Sequence, residues 1–204
     1  MPDTVLVTGF GPFLSYDYNP SGAIAKRLDG KRIAGKNVVG RVLKVGHIEV
    51  GKELEEHIRE HKPSIVIALG LNAASGCISL ERVAINRYYY KDADGEIDEP
   101  LRGNGPAAYF STLPLAAIKK VLQGHGIPAE FSFSSDTYVS NETFYELMRL
   151  AYKHKIKRAG FVHVPLIPKQ VVGIDKPHYT VRQRIPSMDE GMIEKAVGWT
   201  IQTC

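Results

Sequence analysis

The stretch Ile65-Val-Ile-Ala-Leu69 consists of five consecutive apolar residues and runs into the glycine-bounded segment Gly70-Leu-Asn-Ala-Ala-Ser-Gly76. A short apolar run without alternation predicts a strand that is buried on both faces, as in a sheet covered by helices. Val5-Leu-Val-Thr8 repeats the pattern and ends in the turn Gly9-Phe-Gly-Pro-Phe13. The two stretches therefore predict central strands that each deliver a loop to the edge of a sheet.

Predicted helices alternate with predicted strands along the rest of the chain. Asn19-Pro-Ser21 opens a helix that extends through Leu28, and residues 49–61 carry apolar side chains at helical spacing before Lys62-Pro63. Further helices are predicted at 113–122, 141–153 and 187–201, further strands at 38–45, 129–133 and 160–164, an extended segment at 82–90 and a surface excursion at 91–105. This alternation predicts an α/β fold, a single-domain three-layer α/β/α sandwich with a mostly parallel central sheet, over residues 1–204.

Composition excludes several classes of protein. The 204 residues carry a formal charge of +4, but basic and acidic residues alternate, so no nucleic-acid partner is expected. The two cysteines, Cys77 and Cys204, predict neither a disulfide scaffold nor a structural metal site. The histidines at 47, 57, 61 and 125 are interpreted as surface residues without the carboxylate pattern of a metal site. The chain start lacks a signal peptide and no apolar run could span a bilayer, which predicts a cytoplasmic protein without a membrane partner.

Ligands of open α/β sheets bind outside the carboxyl ends of the strands, where the sequence places segments 9–13, 70–76, 134–140 and 163–168. Ser140 opens a predicted helix, where free N–H groups favour a nucleophile and its oxyanion, although serine is also a preferred N-cap and position alone favours the cap. His163 ends a strand and is either a general base or a hydrogen-bonded core histidine. Glu81 is either a surface residue paired with an arginine or the acid that orients the histidine. Together the three would form a nucleophile, base and orienting acid.

Phe10 and Phe13 flank a Gly-Pro turn and could hold a flat ring between their faces, although ordinary packing onto the core explains them equally well. Gly9-Phe-Gly11 is a poor match to a phosphate-binding loop, because the third glycine is missing and Pro12 removes an N–H donor. The run Tyr88-Tyr-Tyr90 fits strand tyrosines at a sheet edge better than a nucleic-acid stacking surface.

Taken together, several segments resemble the pyroglutamyl peptidase I (pyrrolidone-carboxylate peptidase) family of cysteine peptidases. In chain order, the matching stretches are Val7-Thr-Gly-Phe-Gly-Pro-Phe13 with Asn19-Pro-Ser21, Gly40-Arg-Val-Leu43, Gly70-Leu71, Ile78-Ser-Leu-Glu-Arg-Val-Ala-Ile-Asn86, Asp98-Glu-Pro100, Ala108-Tyr-Phe-Ser-Thr-Leu-Pro114, Tyr138-Val-Ser-Asn141, Gly160-Phe-Val-His-Val-Pro165 with Ile167-Pro168, and Pro186-Ser-Met188. They cover nearly the whole chain.

The resemblance implies hydrolysis of the N-terminal pyroglutamyl (5-oxoproline) residue from peptides, without a cofactor, by a homodimer or homotetramer. It implies that Glu81 is the acid of the triad, that Ser140 stands at the position of the cysteine nucleophile and that His163 is the general base. It also implies that the substrate-binding residues include Phe10 and Phe13 around the lactam ring, Leu71 on the loop that recognises the lactam amide, and Tyr138 and Val139 in the pocket wall.

The chain departs from the pattern of the family in three places. Ser140 replaces the cysteine, Ser135-Asp136 replaces the usual Ala-Gly, and residues 87–94 lack the usual arginine-containing stretch, for which Arg87 and Lys91 are candidates. A hydroxyl is far less acidic than a thiol and needs base assistance during the attack itself. We interpret Ser140 as an inactivating replacement of cysteine. The alternatives are a natural serine in a weak serine-type hydrolase and a non-catalytic binder of pyroglutamyl peptides.

Overall fold

The computed structural model describes residues 3–13, 16–47, 49–91, 95–172 and 185–204. The strands of its central sheet are β1 (Thr4–Phe10), β2 (Arg32–Ile33), β3 (Lys36–Leu43), β4 (Ile65–Leu71), β5 (Ile78–Glu81), β10 (Ala129–Ser132) and β11 (Arg158–Val164). Two small ribbons pair β6 (Val83–Ile85) with β9 (Ala108–Phe110) and β7 (Tyr88–Lys91) with β8 (Glu96–Glu99). The helices are α1 (Pro20–Leu28), α2 (Glu49–His61), α3 (Leu115–Gly124), α4 (Val139–His154), α5 (Pro168–Val172) and α6 (Glu190–Thr203).

The central sheet is mostly parallel, as predicted, with the strand order β10-β5-β11-β4-β1-β3-β2. Strands β3, β1, β4 and β11 all run in one direction. Strands β5 and β10 are parallel to each other but antiparallel to β11, and β2 is antiparallel to β3. The carboxyl ends of β1, β4 and β11 therefore share one edge. Strand β10 ends at the opposite edge of the sheet. The segment 134–140, which follows it, therefore does not begin at the edge that the sequence predicted.

Two apolar cores lie on opposite faces of the sheet and confirm the three-layer α/β/α architecture. Val5 and Val7 of β1 pack into one core with α1, α3 and α6, whereas Leu6 packs into the other with α2 and α4. Successive strand side chains point to opposite faces, so a strand covered on both sides is apolar throughout. On α6, Ile193, Val197 and Ile201 are buried in the first core, and Met192 and Trp199 pack against it partly buried.

Local signals located some helix boundaries better than others. Asn19 is the N-cap of α1, its side chain accepts from the Ser21 N–H, and Pro20 occupies the first turn, as predicted. Helix α4 begins at Val139, two residues earlier than predicted, and its N-cap is Tyr138. The interpretation of Ser140 as an N-cap is therefore wrong. The predicted excursion at 91–105 contains β8, and α5 was not predicted. None of the helices in the described ranges is long and apolar enough to cross a membrane.

Candidate active site

Glu81 and His163 form a buried pair on neighbouring strands. Ser79 lies opposite His163 in the antiparallel register of β5 and β11, and Glu81, two residues further on, shares its face of the sheet. Glu81 Oε1 lies 2.7 Å from His163 Nδ1, and the two residues are 1% and 6% exposed. Because an ionised carboxylate only accepts hydrogen bonds, Nδ1 carries the proton and Nε2 is left as the basic nitrogen. Among the described residues no donor reaches Glu81 Oε2, so this carboxylate acts on the imidazole through Oε1.

The position of the His163 ring depends on a glycine and an aromatic neighbour. The Phe161 ring meets the imidazole edge-on, with centroids 4.9 Å apart. A Cβ atom at Gly70, the register partner of His163 in β4, would lie 2.7 Å from Phe161 Cζ and 3.0 Å from His163 Cδ2. Gly70 therefore leaves the space that both rings occupy.

A pocket lies next to this pair at the carboxyl ends of β1 and β4. Its lining residues are Phe10, Phe13, Asn19, Val45, Leu71, Tyr138, Val139 and Ser140. Six of these eight residues were singled out from the sequence; Asn19 was recognised there only as part of a helix start, and Val45 only as the end of a strand. Leu71 is the last residue of β4 and not a loop residue, and it pairs with Val164, the residue after His163. His163, the partner of Gly70, therefore lies one residue along the strands from the part of the pocket that Leu71 lines.

The aromatic loop of the pocket is fixed against the start of α1. The Phe10 N–H donates to Ser21 Oγ at 3.0 Å, and Asn19 Nδ2 donates to the Gly11 carbonyl at 3.0 Å. A Cβ atom at Gly9 would lie 2.2 Å from the Ser21 carbonyl oxygen. Gly9 thus allows the strand and the helix to approach each other closely. This close packing explains the glycine without a phosphate ligand.

Ser140 lies in the first turn of α4, where N–H groups without helical acceptors and the helix dipole favour negative charge. The turn before it contains Asp136 in a left-handed conformation with φ of 67°, a region that favours glycine, and the Asp136 carboxylate accepts from the Thr137 N–H at 2.8 Å. Glycine at this position, the usual residue of the family that the sequence resembles, suits that φ. The departure at 136 is therefore accommodated by the local hydrogen bond.

Asn141 binds the Ser140 turn to the segment that joins β6 to β7. Its side chain accepts from the Ile85 N–H at 2.9 Å and donates to the carbonyls of Ile85 and Arg87 at 2.9 and 2.8 Å. The Tyr89 N–H also donates to the Thr137 carbonyl at 2.9 Å. These bonds bring Ser140 to the pocket even though β10 runs in the opposite direction.

Tyr138 belongs to a group of stacked rings that extends from the pocket to the β7–β8 ribbon. The Tyr90 ring stacks on Tyr138 with centroids 4.8 Å apart, and the Tyr88 ring lies 5.9 Å from it. His47 stacks on Tyr88 at 3.8 Å. Burial, together with nearby negative groups, raises the pKa of Tyr88 to about 12. The tyrosines predicted to lie in a strand do so, and two of them support the pocket wall.

The basic candidates from the sequence do not line the pocket. Arg87 binds Asp98 at 2.5 Å and Lys91 binds Glu96 at 3.0 Å, both across the exposed β7–β8 ribbon; residues 92–94 lie outside the described residues. Arg102, which the sequence did not single out, donates two hydrogen bonds to the buried Glu146 at 2.8 and 3.0 Å.

Comparison with known proteins identifies the same family as the sequence motifs. The pyroglutamyl peptidase family profile matches residues 3–204. The chain is 40% identical to a pyrrolidone-carboxylate peptidase of Halalkalibacterium halodurans, with 99% of each chain covered. A mutant pyrrolidone carboxyl peptidase from Pyrococcus furiosus superimposes with a TM-score of 0.91 at 41% identity, covering 98% of this chain and 97% of that one. The enzyme of Thermococcus litoralis gives 0.91 at 37% identity, covering 98% and 92%. This chain belongs to the pyroglutamyl peptidase family.

Proposed function

We propose that this fold hydrolyses the bond between an N-terminal pyroglutamyl residue and the rest of a peptide, and that Ser140, Glu81 and His163 form its triad. The observation that carries the proposal is the buried 2.7 Å contact between Glu81 and His163 beside a pocket that contains Ser140. The pocket is lined mostly by aromatic and aliphatic side chains, which suits an uncharged lactam ring. We assign Phe10, Phe13, Leu71, Tyr138 and Val139 to lactam binding.

The reaction follows from the roles of these groups. The side chain at position 140 attacks the carbonyl carbon that joins pyroglutamate to the next residue, and its proton passes to His163 Nε2. The oxyanion that forms faces the N–H groups of the first turn of α4. His163 then returns the proton to the leaving amine, and water, activated by the same nitrogen, hydrolyses the acyl-enzyme. Glu81 keeps Nδ1 protonated and stabilises the imidazolium.

The Ser140 hydroxyl is a weaker nucleophile than the cysteine thiol that the family carries at this position. A serine in place of cysteine gives an alcohol of ordinary acidity, so proton removal must accompany the attack. We propose that the chain with Ser140 turns over slowly or not at all and that Ser140→Cys produces an efficient peptidase. Its alternative, a non-catalytic binder of pyroglutamyl peptides, rests on the same pocket and differs only in the outcome of this substitution.

The experiment measures release of the fluorophore from a pyroglutamyl-aminocoumarin substrate by both forms. We expect Ser140→Cys to raise kcat/KM by at least about 100-fold, equivalent to ~2.7 kcal/mol of barrier. The control substrate is the matched prolyl amide, which lacks the lactam carbonyl and should remain intact. If the folded Ser140→Cys variant binds pyroglutamyl peptides without cleaving them, the binder is correct and the peptidase is not.

A further inference from the structure

A cluster of metal-ligating side chains lies at the end of α2, outside the pocket. His57, Glu60 and His61 occupy positions i, i+3 and i+4 of the last helical turns and so share one face. Each offers one ligand atom, and these atoms all lie within 4.8 Å of one another. The two imidazole rings are nearly parallel, with 16° between their planes and centroids 6.3 Å apart. Small side-chain rotations therefore bring the three ligand atoms to the separation that one bound ion requires.

The donor set specifies the class of ion. Two imidazole nitrogens and one carboxylate oxygen suit Zn²⁺ and related divalent transition metals. Three protein ligands leave one tetrahedral position for water. A cation at this place also lies at the carboxyl end of a helix that ends at His61, where the helix dipole favours positive charge.

His61 already presents the nitrogen that a metal requires. Arg41 Nη2 lies 3.1 Å from His61 Nε2. A guanidinium group only donates, so Nε2 carries a free lone pair and is unprotonated. Arg41 is held independently through Nη1, which donates to the Gly40 carbonyl at 2.7 Å and lies 3.2 Å from Asp29 Oδ1. Nη2 can therefore release His61 without detaching the arginine.

His57 is likewise prepared to act as a ligand. Its Nδ1 is buried and has no hydrogen-bond partner among the described residues.

We infer that His57, Glu60 and His61 form a site for a divalent transition metal of the Zn²⁺ class, for which the Arg41 guanidinium competes. Bound metal ties the last two turns of α2 together and stabilises the folded chain, because the unfolded chain lacks this arrangement. The site is independent of the proposed peptidase chemistry, since none of its residues lines the pocket.

The test is calorimetric titration of the full chain with Zn²⁺ at neutral pH, with Co²⁺ absorption as a second readout. We expect one Zn²⁺ per chain and a rise in the unfolding midpoint. His57→Ala and His61→Gln should each weaken binding by more than about tenfold, and Glu60→Gln should weaken it less. His125→Ala is the matched control, because His125 stacks on Trp199 in another part of the fold, and its affinity should match the parent's.

Arg41→Met distinguishes this site from nonspecific binding of Zn²⁺ to surface histidines. Removing the competing guanidinium should tighten Zn²⁺ binding severalfold, whereas the affinity of nonspecific binding would not change. The unfolding midpoint of each variant without metal shows whether it is folded. Absence of saturable binding, equal binding by the double variant His57→Ala/His61→Gln, or unchanged affinity in folded Arg41→Met would each overturn the inference.

Discussion

Two histidine–glutamate pairs lie near the first turn of α4 and differ in what surrounds them. Glu81 and His163 meet at 2.7 Å between two central strands, and both residues are almost fully buried. His47 and Glu142 meet at 2.9 Å, but the His47 side chain is 26% exposed and its Nε2 faces Glu99 at 3.5 Å. Both nitrogens of His47 thus face carboxylates, whereas His163 keeps Nε2 for another partner.

This difference shows that a short contact between histidine and carboxylate does not by itself indicate a catalytic base. The His47 ring is stacked on Tyr88 and joins α4 to the β7–β8 ribbon, a structural task. The His163 ring is placed by strands and has one unassigned nitrogen beside the pocket. We therefore assign chemistry to the pair of Glu81 and His163 and support of the ribbon to the pair of His47 and Glu142.

The largest expected effect is that of the histidines in the Ser140→Cys background. His163→Ala removes the base and should lower kcat by up to about 10⁴-fold, while His47→Ala should leave kcat close to the parent value. His47→Ala should instead lower the free energy of unfolding by about 1–3 kcal/mol, because buried Glu142 loses a hydrogen bond. Steady-state kinetics and urea unfolding of both variants measure this. Equal losses of activity would remove the distinction between the pairs.

The carboxylates provide a smaller contrast. Glu81→Gln removes the negative charge that stabilises the imidazolium. In the Ser140→Cys background it should lower kcat on the order of 10²-fold with KM little changed, since an orienting acid contributes less than the base. Glu142→Gln, the matched change in the other pair, should preserve kcat. Kinetics on the pyroglutamyl-aminocoumarin substrate compare them. A Glu81→Gln variant with the parent's kcat would show that the buried pair is only structural.

The smallest effect concerns Glu146, a buried carboxylate one turn after Glu142. Burial opposes its ionisation, but hydrogen bonds from Arg102 and Arg149 outweigh it, so the pKa of Glu146 lies below its usual value. A lowered folded-state pKa stabilises the fold above the unfolded value of 4.5, and this contribution is lost as the pH falls through the folded pKa. Glu146→Gln should therefore cost about 1–3 kcal/mol at pH 7.

The pH dependence checks the origin of that cost. The difference in unfolding free energy between the parent and Glu146→Gln should shrink as the pH falls below ~4.5, because the parent's carboxylate then becomes neutral as well. Urea unfolding at several pH values measures it. A difference that stays constant down to the acid transition would show that packing, and not charge, stabilises Glu146.

Much of the fold followed from local patterns. The uninterrupted apolar runs at 65–69 and 5–8 predicted buried strands, and helix α2 begins and ends where its periodicity indicated. Asn19 and Pro20 located the start of α1 because capping chemistry is local. The start of α4 was misplaced, since Tyr138 caps it without a side-chain hydrogen bond and therefore carries no recognisable signal.

The pocket could be anticipated in part. Phe10 and Phe13 were predicted to line a site because they flank a Gly-Pro turn. Val45 was not predicted, because its sequence context does not differ from that of other strand residues. His57 and His61 were interpreted as surface residues because the exposed face of a helix ordinarily carries such residues, and the neighbouring Arg41 belongs to a distant segment, β3.

The sequence by itself determined most of the strands and helices and the faces that they bury, but it predicted neither α5 nor β5, the strand that carries Glu81. Only the tertiary structure decided that Glu81 binds His163, which is 82 residues away. The physical reason is that burial patterns specify the face of a strand but not its neighbour or direction, and β5 runs antiparallel to β11. This register brings the Glu81 carboxylate within hydrogen-bonding distance of the His163 imidazole.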